Sequence, residues 1–139
     1  MLAGDRIFLV AVLLMMVGCA GVPNTSRTGE IYDVKFEDHM IPSEIQVQPG
    51  DEVRWVNHRT MPVRIDFLGG ALNELSCERG FSNFLGRPQE SVSVRPNQSV
   101  SLCFAKTALV SYNVRMDSPV PGGKLIESGA VHVGNPIAK

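Results

Sequence analysis

Apolar and polar residues alternate with a period of two through most of the chain from residue 30 onward. This period places neighbouring side chains on opposite faces of a β-strand, so that one face can be buried. The apolar positions of the eight runs are Tyr32, Val34, Phe36, Ile45, Val47, Val53, Trp55, Val63, Ile65, Phe67, Val92, Val94, Val100, Leu102, Phe104, Val110, Tyr112, Val114, Met116, Val131 and Val133.

Turn-forming residues separate these runs, for example Pro49-Gly50-Asp51 and Gly69-Gly70. About eight short strands with little helical periodicity predict an all-β fold, an antiparallel sandwich or barrel. Segment 69–88 is the exception, because it contains only a short helical pattern at 71–75. We expect it to form a loop that packs over one end of the sandwich.

Residues 1–18 have the pattern of a secretory signal peptide. Arg6 precedes an apolar run at 7–17, which is too short to span a bilayer as a helix but fits the apolar region of a signal. The stretch Met16-Val17-Gly18-Cys19 resembles the bacterial lipobox. We therefore expect Cys19 to be lipidated, with an ordinary cleaved signal or an uncleaved anchor as the alternatives.

The residues after Cys19 are small and polar as far as 29, which is typical of a flexible tether. Residues 30–135 then form one domain. Ala20, directly after the cysteine, resembles the arrangement in lipoproteins that pass to the outer membrane. We expect a protein held in the bacterial cell envelope by its lipid and facing the periplasm, with the outer membrane favoured.

Lipidation of Cys19 would leave two cysteines, Cys77 and Cys103, in an oxidising compartment where a pair is expected to bond. The strand period places Cys103 on the face opposite Leu102, away from the apolar positions. We expect a disulfide that stabilises the domain by about 3 kcal/mol. Two free thiols and a metal-ligand role are the alternatives.

Two segments resemble the cupredoxins, the plastocyanin and azurin family. IPSEIQVQPGDEVRWVNHRTMPVRIDF is similar to the first half of such a domain, and VRPNQSVSLCFAKTALVSYNVRM to the second half. The resemblance covers about 31–134 and implies a Greek-key β-sandwich of about eight strands. An immunoglobulin sandwich fits less well, because Trp55 precedes both remaining cysteines.

The resemblance also implies a mononuclear type 1 copper centre, which needs two histidines, a thiolate and a weak axial ligand. Here Val63 follows Pro62, where the family has its first histidine, and Val114 stands near the cysteine position. No histidine occurs in 115–131, so only Met116 remains as a candidate ligand. We therefore expect no cofactor.

A relocated copper site is the alternative, since histidine and methionine are ligands that bind copper. It would make the protein an electron-transfer protein or a copper carrier. The candidate ligands are His39, Met40, His58, Met61 and Met116.

Composition narrows the function classes. Thirteen basic and fourteen acidic residues give a net charge of −1, which gives no reason to expect nucleic acid as a partner. No catalytic motif is present, so we expect no enzyme activity. The sequence favours a binding or structural module with a cell-envelope protein partner, accessory to a respiratory or metal-handling complex. The candidate partner surface is Phe81, Phe84 and Leu85.

Overall fold

The computed structural model describes residues 29–134, which form two five-stranded β-sheets packed face to face. The strands are β1 Ile31–Phe36, β2 Met40–Ile41, β3 Glu44–Val47, β4 Glu52–Asn57, β5 Val63–Phe67, β6 Leu75–Arg79, β7 Ser91–Val94, β8 Ser99–Phe104, β9 Ala108–Asp117 and β10 Lys124–Val133. Sheet I has the order β2-β1-β4-β8-β6, and sheet II has the order β3-β10-β9-β5-β7. The predicted all-β sandwich is confirmed.

The signal peptide, Cys19 and nearly all of the tether lie outside the described residues. Within residues 29–134, no helix is both long enough and apolar enough to cross a bilayer.

All eight alternating runs form strands, and two further strands bring the number in the described part to ten. The added strands are β2, which has only two residues, and β6, which is an edge strand with little buried surface. Neither has the alternation that marks a half-buried strand, so the pattern did not reveal them. The sheets are also not wholly antiparallel, because β1 pairs in parallel with β4 and β3 pairs in parallel with β10.

The core forms where the two sheets face each other, and Trp55 lies at its centre with no exposed surface. Its ring contacts Phe67 and Tyr112 from sheet II at centroid distances of 5.4 and 5.5 Å, in edge-to-face geometry. Edge-to-face pairs at this distance are the favoured arrangement of aromatic rings. This cluster therefore joins the two sheets through side chains placed by the period of two.

Segment 69–88 is more ordered than the sequence suggested. It contains a short 3-10 helix, Ala71–Glu74, and then β6, which pairs with β8 at the edge of sheet I. The chain then crosses the open side of the sandwich and enters β7 at the edge of sheet II. The segment thus closes one side of the sandwich rather than covering one end.

Phe81 belongs to the core, so its assignment to a partner surface was wrong. It has no exposed surface and lies 5.9 Å from Trp55 and 5.4 Å from Phe67, measured between ring centroids. Gly80 allows this insertion, because a Cβ at that position would lie 2.5 Å from Val100 Cγ1 and the backbone φ is +87°. The sequence pattern missed Phe81 because it lies in no alternating run.

The disulfide Cys77–Cys103 links β6 to β8, with the two Cα atoms 4.8 Å apart and 26 positions apart in sequence. The expected pairing is confirmed. Cys103 is out of phase with the core residues Leu102 and Phe104 on the inner face, as predicted, but with its disulfide to Cys77 it is only 3% exposed. The cross-link ties the edge strand to the centre of its sheet.

Phe81→Ala should lower the free energy of unfolding by about 3–5 kcal/mol, because it removes a buried ring from the aromatic cluster. Phe84→Ala, three residues along the same segment, should change it by less than about 0.5 kcal/mol, because Phe84 is 94% exposed. Urea unfolding of both variants checks this. Equal losses would contradict the placement of Phe81.

Candidate functional site

Three connections meet at one end of the sandwich, which we call the loop end. They are the β1–β2 turn at 37–39, the β4–β5 loop at 58–62 and the β9–β10 loop at 118–123. The first two approach each other because β1 and β4 are parallel neighbours that end at Phe36 and Asn57. The family resemblance would place a metal among such loops.

Asn57 holds the β4–β5 loop in place. Its side chain is fully buried, and its Nδ2 donates to the carbonyl oxygens of Met61 and Val94, each at 2.9 Å. Its Oδ1 accepts a hydrogen bond from the Arg59 backbone N at 2.8 Å. A buried amide is costly unless it is hydrogen-bonded, and both ends of this amide have partners. The loop therefore has a defined shape set by one residue.

Arg59 connects the three parts of the loop end. Its guanidinium donates to the carbonyl oxygen of Glu37 in the β1–β2 turn and to that of Asp117 at the end of β9. Hydrogen bonds from a charged donor are stronger than neutral ones. A fixed positive charge thus lies between the loops. Arg59 was not predicted from the sequence, because no local pattern indicates contacts with residues 22 and 58 positions away.

The candidate copper ligands are spread over different environments. His39 is 70% exposed and pairs through Nδ1 with Glu127 Oε1 at 2.6 Å, while the side chain of Met40 is buried in the core. Met116 is also in the core, 1% exposed, and lies opposite Leu125 in the pairing of β9 with β10.

Of the five candidate ligands, only His58 and Met61 line a cleft at the loop end. They share this cleft, of about 330 Å³, with Glu37, Asp38 and Arg59. Both side chains are exposed to solvent. The cleft therefore combines two copper-ligand types with two carboxylates and the Arg59 cation.

The described residues do not fit a type 1 copper centre. Val63 and Val114 are fully buried core residues, and the sulfurs of Cys77 and Cys103 are bonded to each other. A disulfide sulfur is not a thiolate ligand. Within residues 29–134, no group of three or more His, Cys, Asp or Glu side chains is placed to hold a metal ion.

Of the three candidate partner residues, Phe84 and Leu85 lie together at the surface, 94% and 63% exposed. They occupy a tight turn in which Asn83 Oδ1 accepts hydrogen bonds from the backbone N of Leu85 at 2.9 Å and of Arg87 at 3.0 Å. Gly86 completes the turn with a backbone bond to Asn83 and a φ of +74°. The turn therefore presents two large apolar side chains on a fixed backbone.

Comparison with known proteins identifies the fold. No protein-family model matches the chain, and no match is found among curated proteins. Among solved structures, a reduced mutant of amicyanin matches with a TM-score of 0.50 and 21% identity over 76% of this chain and 83% of that chain. A Cu(I) mutant of amicyanin matches with a TM-score of 0.49 and 21% identity over 74% and 81%.

Amicyanin is a cupredoxin, and the first of these matches shows that the chain has a cupredoxin-like fold. The fold expected from the resemblance is confirmed. At this identity the likeness carries no information on ligands or activity.

Arg59→Gln should lower the free energy of unfolding by about 1–3 kcal/mol, because two charge-assisted hydrogen bonds between loops are lost. Arg95→Gln is the matched control, since Arg95 is exposed and its side chain forms no hydrogen bond within residues 29–134. Urea unfolding compares the two. The role of Arg59 is contradicted if both variants unfold like the wild type.

Proposed function

We propose that this protein is a lipid-anchored binding module of the bacterial cell envelope that uses a cupredoxin-like sandwich without a type 1 copper centre. The observation that carries the proposal is the disulfide, since it leaves no thiolate among the described residues for a copper site. The Arg59 guanidinium supports it, because a fixed cation between the loops repels a metal ion placed there. The module is non-catalytic in this proposal.

Anchoring through Cys19 rests on the lipobox-like sequence. Gly29 lies ten positions after Cys19, a distance that an extended chain spans with at most about 35 Å. Gly29 lies beside Gly50 and Asp51, because a Cβ added to it would be 2.5 Å from the Gly50 carbonyl oxygen and from the Asp51 Cα. This is the end of the sandwich where β4 begins. The tether would thus join the domain at the end opposite the loop end, which would leave the loop end accessible from the periplasm. The outer membrane, facing the periplasm, is the favoured location.

The turn with Phe84 and Leu85 is the proposed contact surface for a cell-envelope protein. Exposed apolar side chains mark interaction sites when they lie together, and a fixed backbone lowers the entropy lost on binding. The assignment to a respiratory or metal-handling complex rests on fold analogy alone.

A second candidate function is copper carriage through a non-standard site. The observation in its favour is the cleft that His58 and Met61 share with Glu37 and Asp38. Imidazole and thioether groups suit copper, and the carboxylates would partly offset the charge of Arg59.

Copper titration separates the two functions. The full-length protein in mild detergent, with Cys77–Cys103 oxidised, should show no saturable one-to-one binding of Cu(I) or Cu(II) by calorimetry and visible absorption. Tight binding that is lost in His58→Ala and kept in His132→Ala would establish the copper-carrier function instead. His132 is a suitable control because it lies in β10, outside the cleft, 3.6 Å from Glu44.

Cys19→Ala should abolish incorporation of an alkyne-labelled fatty acid in a bacterial host and release the protein from the membrane fraction. Ala20→Ser should keep the label, because the acceptor thiol is unchanged. In-gel fluorescence after click labelling measures both. A labelled Cys19→Ala variant would contradict lipidation at Cys19.

A further inference from the structure

A row of four side chains crosses the outer face of sheet II. The strand register pairs Ser93 with Arg64, Arg64 with Arg115, and Arg115 with Ile126. Two arginines therefore stand directly opposite each other on neighbouring strands. Like charges in such a pair are destabilising. A destabilising pair of like charges on a solvent-facing surface is expected either to be offset by a nearby anion or to take part in binding.

Asp66 provides the compensating anion. Its carboxylate accepts a hydrogen bond from Arg64 Nε at 2.9 Å and forms an ion pair with Arg115 Nε at 3.1 Å. Ser91 Oγ also donates to it at 2.6 Å. Burial raises the pKa of Asp66, but the Ser91 and Arg64 hydrogen bonds and both arginine charges outweigh this and lower it. One ionised carboxylate thus positions two guanidinium groups and neutralises only one of them.

The contacts with Asp66 use the Nε atoms and leave the outer ends of both guanidinium groups available. Within residues 29–134, the terminal η-nitrogens of Arg64 and Arg115 form no hydrogen bonds. They border a depression of about 410 Å³ that is also lined by Pro62, Ser93, Met116, Asp117, Lys124 and Ile126. Lys124 itself pairs with Asp117. Paired η-nitrogens on a planar group match the two oxygens of a carboxylate.

Apolar surface lies beside these cations. Ile126 is 59% exposed, and Pro62 is also exposed to solvent. Because the arginines are themselves 59% exposed, single ion pairs here contribute little in water. A free small anion would therefore be held weakly, whereas a chain that places a carboxylate on the arginines and an apolar side chain on Ile126 gains from both contacts.

We infer that this basic surface, made of Arg64, Arg115, Lys124, Pro62 and Ile126, binds an acidic segment of a protein partner that also carries apolar side chains. The inference rests on the proposed function as a binding module and names the chemistry of its partner. The surface is distinct from the turn with Phe84 and Leu85, because the two have no residue in common.

The test uses the full-length protein in mild detergent and a fluorescein-labelled peptide of alternating glutamate and leucine as the probe. Fluorescence anisotropy should show saturable binding that weakens as salt increases. Arg64→Gln and Arg115→Gln should each lower the affinity about fivefold. Arg64→Lys should lower it nearly as much, because lysine keeps the charge but not the paired donors.

Two controls decide the interpretation. Lys35→Gln removes one charge from the outer face of sheet I and should leave binding unchanged, and a glutamine–leucine peptide should not bind. Equal losses in Lys35→Gln and the arginine variants, or wild-type binding by Arg64→Lys, would show unspecific charge attraction and overturn the inference. Absence of saturable binding would overturn it as well. Displacement of the probe by inorganic phosphate at matched ionic strength would identify a small-oxyanion site instead.

The two tests fail independently. Copper binding by the His58 cleft would overturn the proposed function without changing the peptide result, because the cleft and the basic surface have no lining residue in common. Absence of peptide binding would overturn only the assignment of this surface. The proposal of a metal-free binding module would be unaffected.

Discussion

The packing of Trp55 against aromatic rings from three other parts of the chain is the interaction on which the fold depends. Trp55 belongs to sheet I, Phe67 and Tyr112 belong to sheet II, and Phe81 enters from the segment that closes the open side. Aromatic side chains bury the largest areas per residue, so one cluster can hold two sheets and a connecting segment together. The disulfide Cys77–Cys103 holds β6, from which that segment departs, against its sheet.

The loop end has its own means of support. The buried amide of Asn57 shapes one loop, and the Arg59 guanidinium joins that loop to the β1–β2 turn and to the end of β9. These hydrogen bonds hold the connections in place. The same guanidinium places a positive charge between the loops, which disfavours a metal ion there. Stability and the proposed metal-free function therefore have a common physical basis at this end.

The outer face of sheet II contains a pair of like charges on neighbouring strands, an arrangement that lowers stability. Arg64 and Arg115 face each other, and Asp66 offsets only part of their repulsion. Proteins tend to break local rules of this kind at functional sites. The proposed basic surface and the proposed contact turn with Phe84 and Leu85 would give the domain two different means of contact, one by charge and one by apolar area. Both lie on elements whose backbone is held by hydrogen bonds.

The sequence by itself determined the eight main strands, their buried faces and the phase of Cys103, because a period of two encodes side-chain direction locally. Through the resemblance to cupredoxins, it also led to the expectation that Val63 stands at, and Val114 near, positions where that family has copper ligands. Only the tertiary structure placed Phe81 in the core, joined Arg59 to Glu37 and Asp117, and set Arg64 opposite Arg115. These features depend on strand register and on contacts between residues far apart in sequence, which no local pattern encodes.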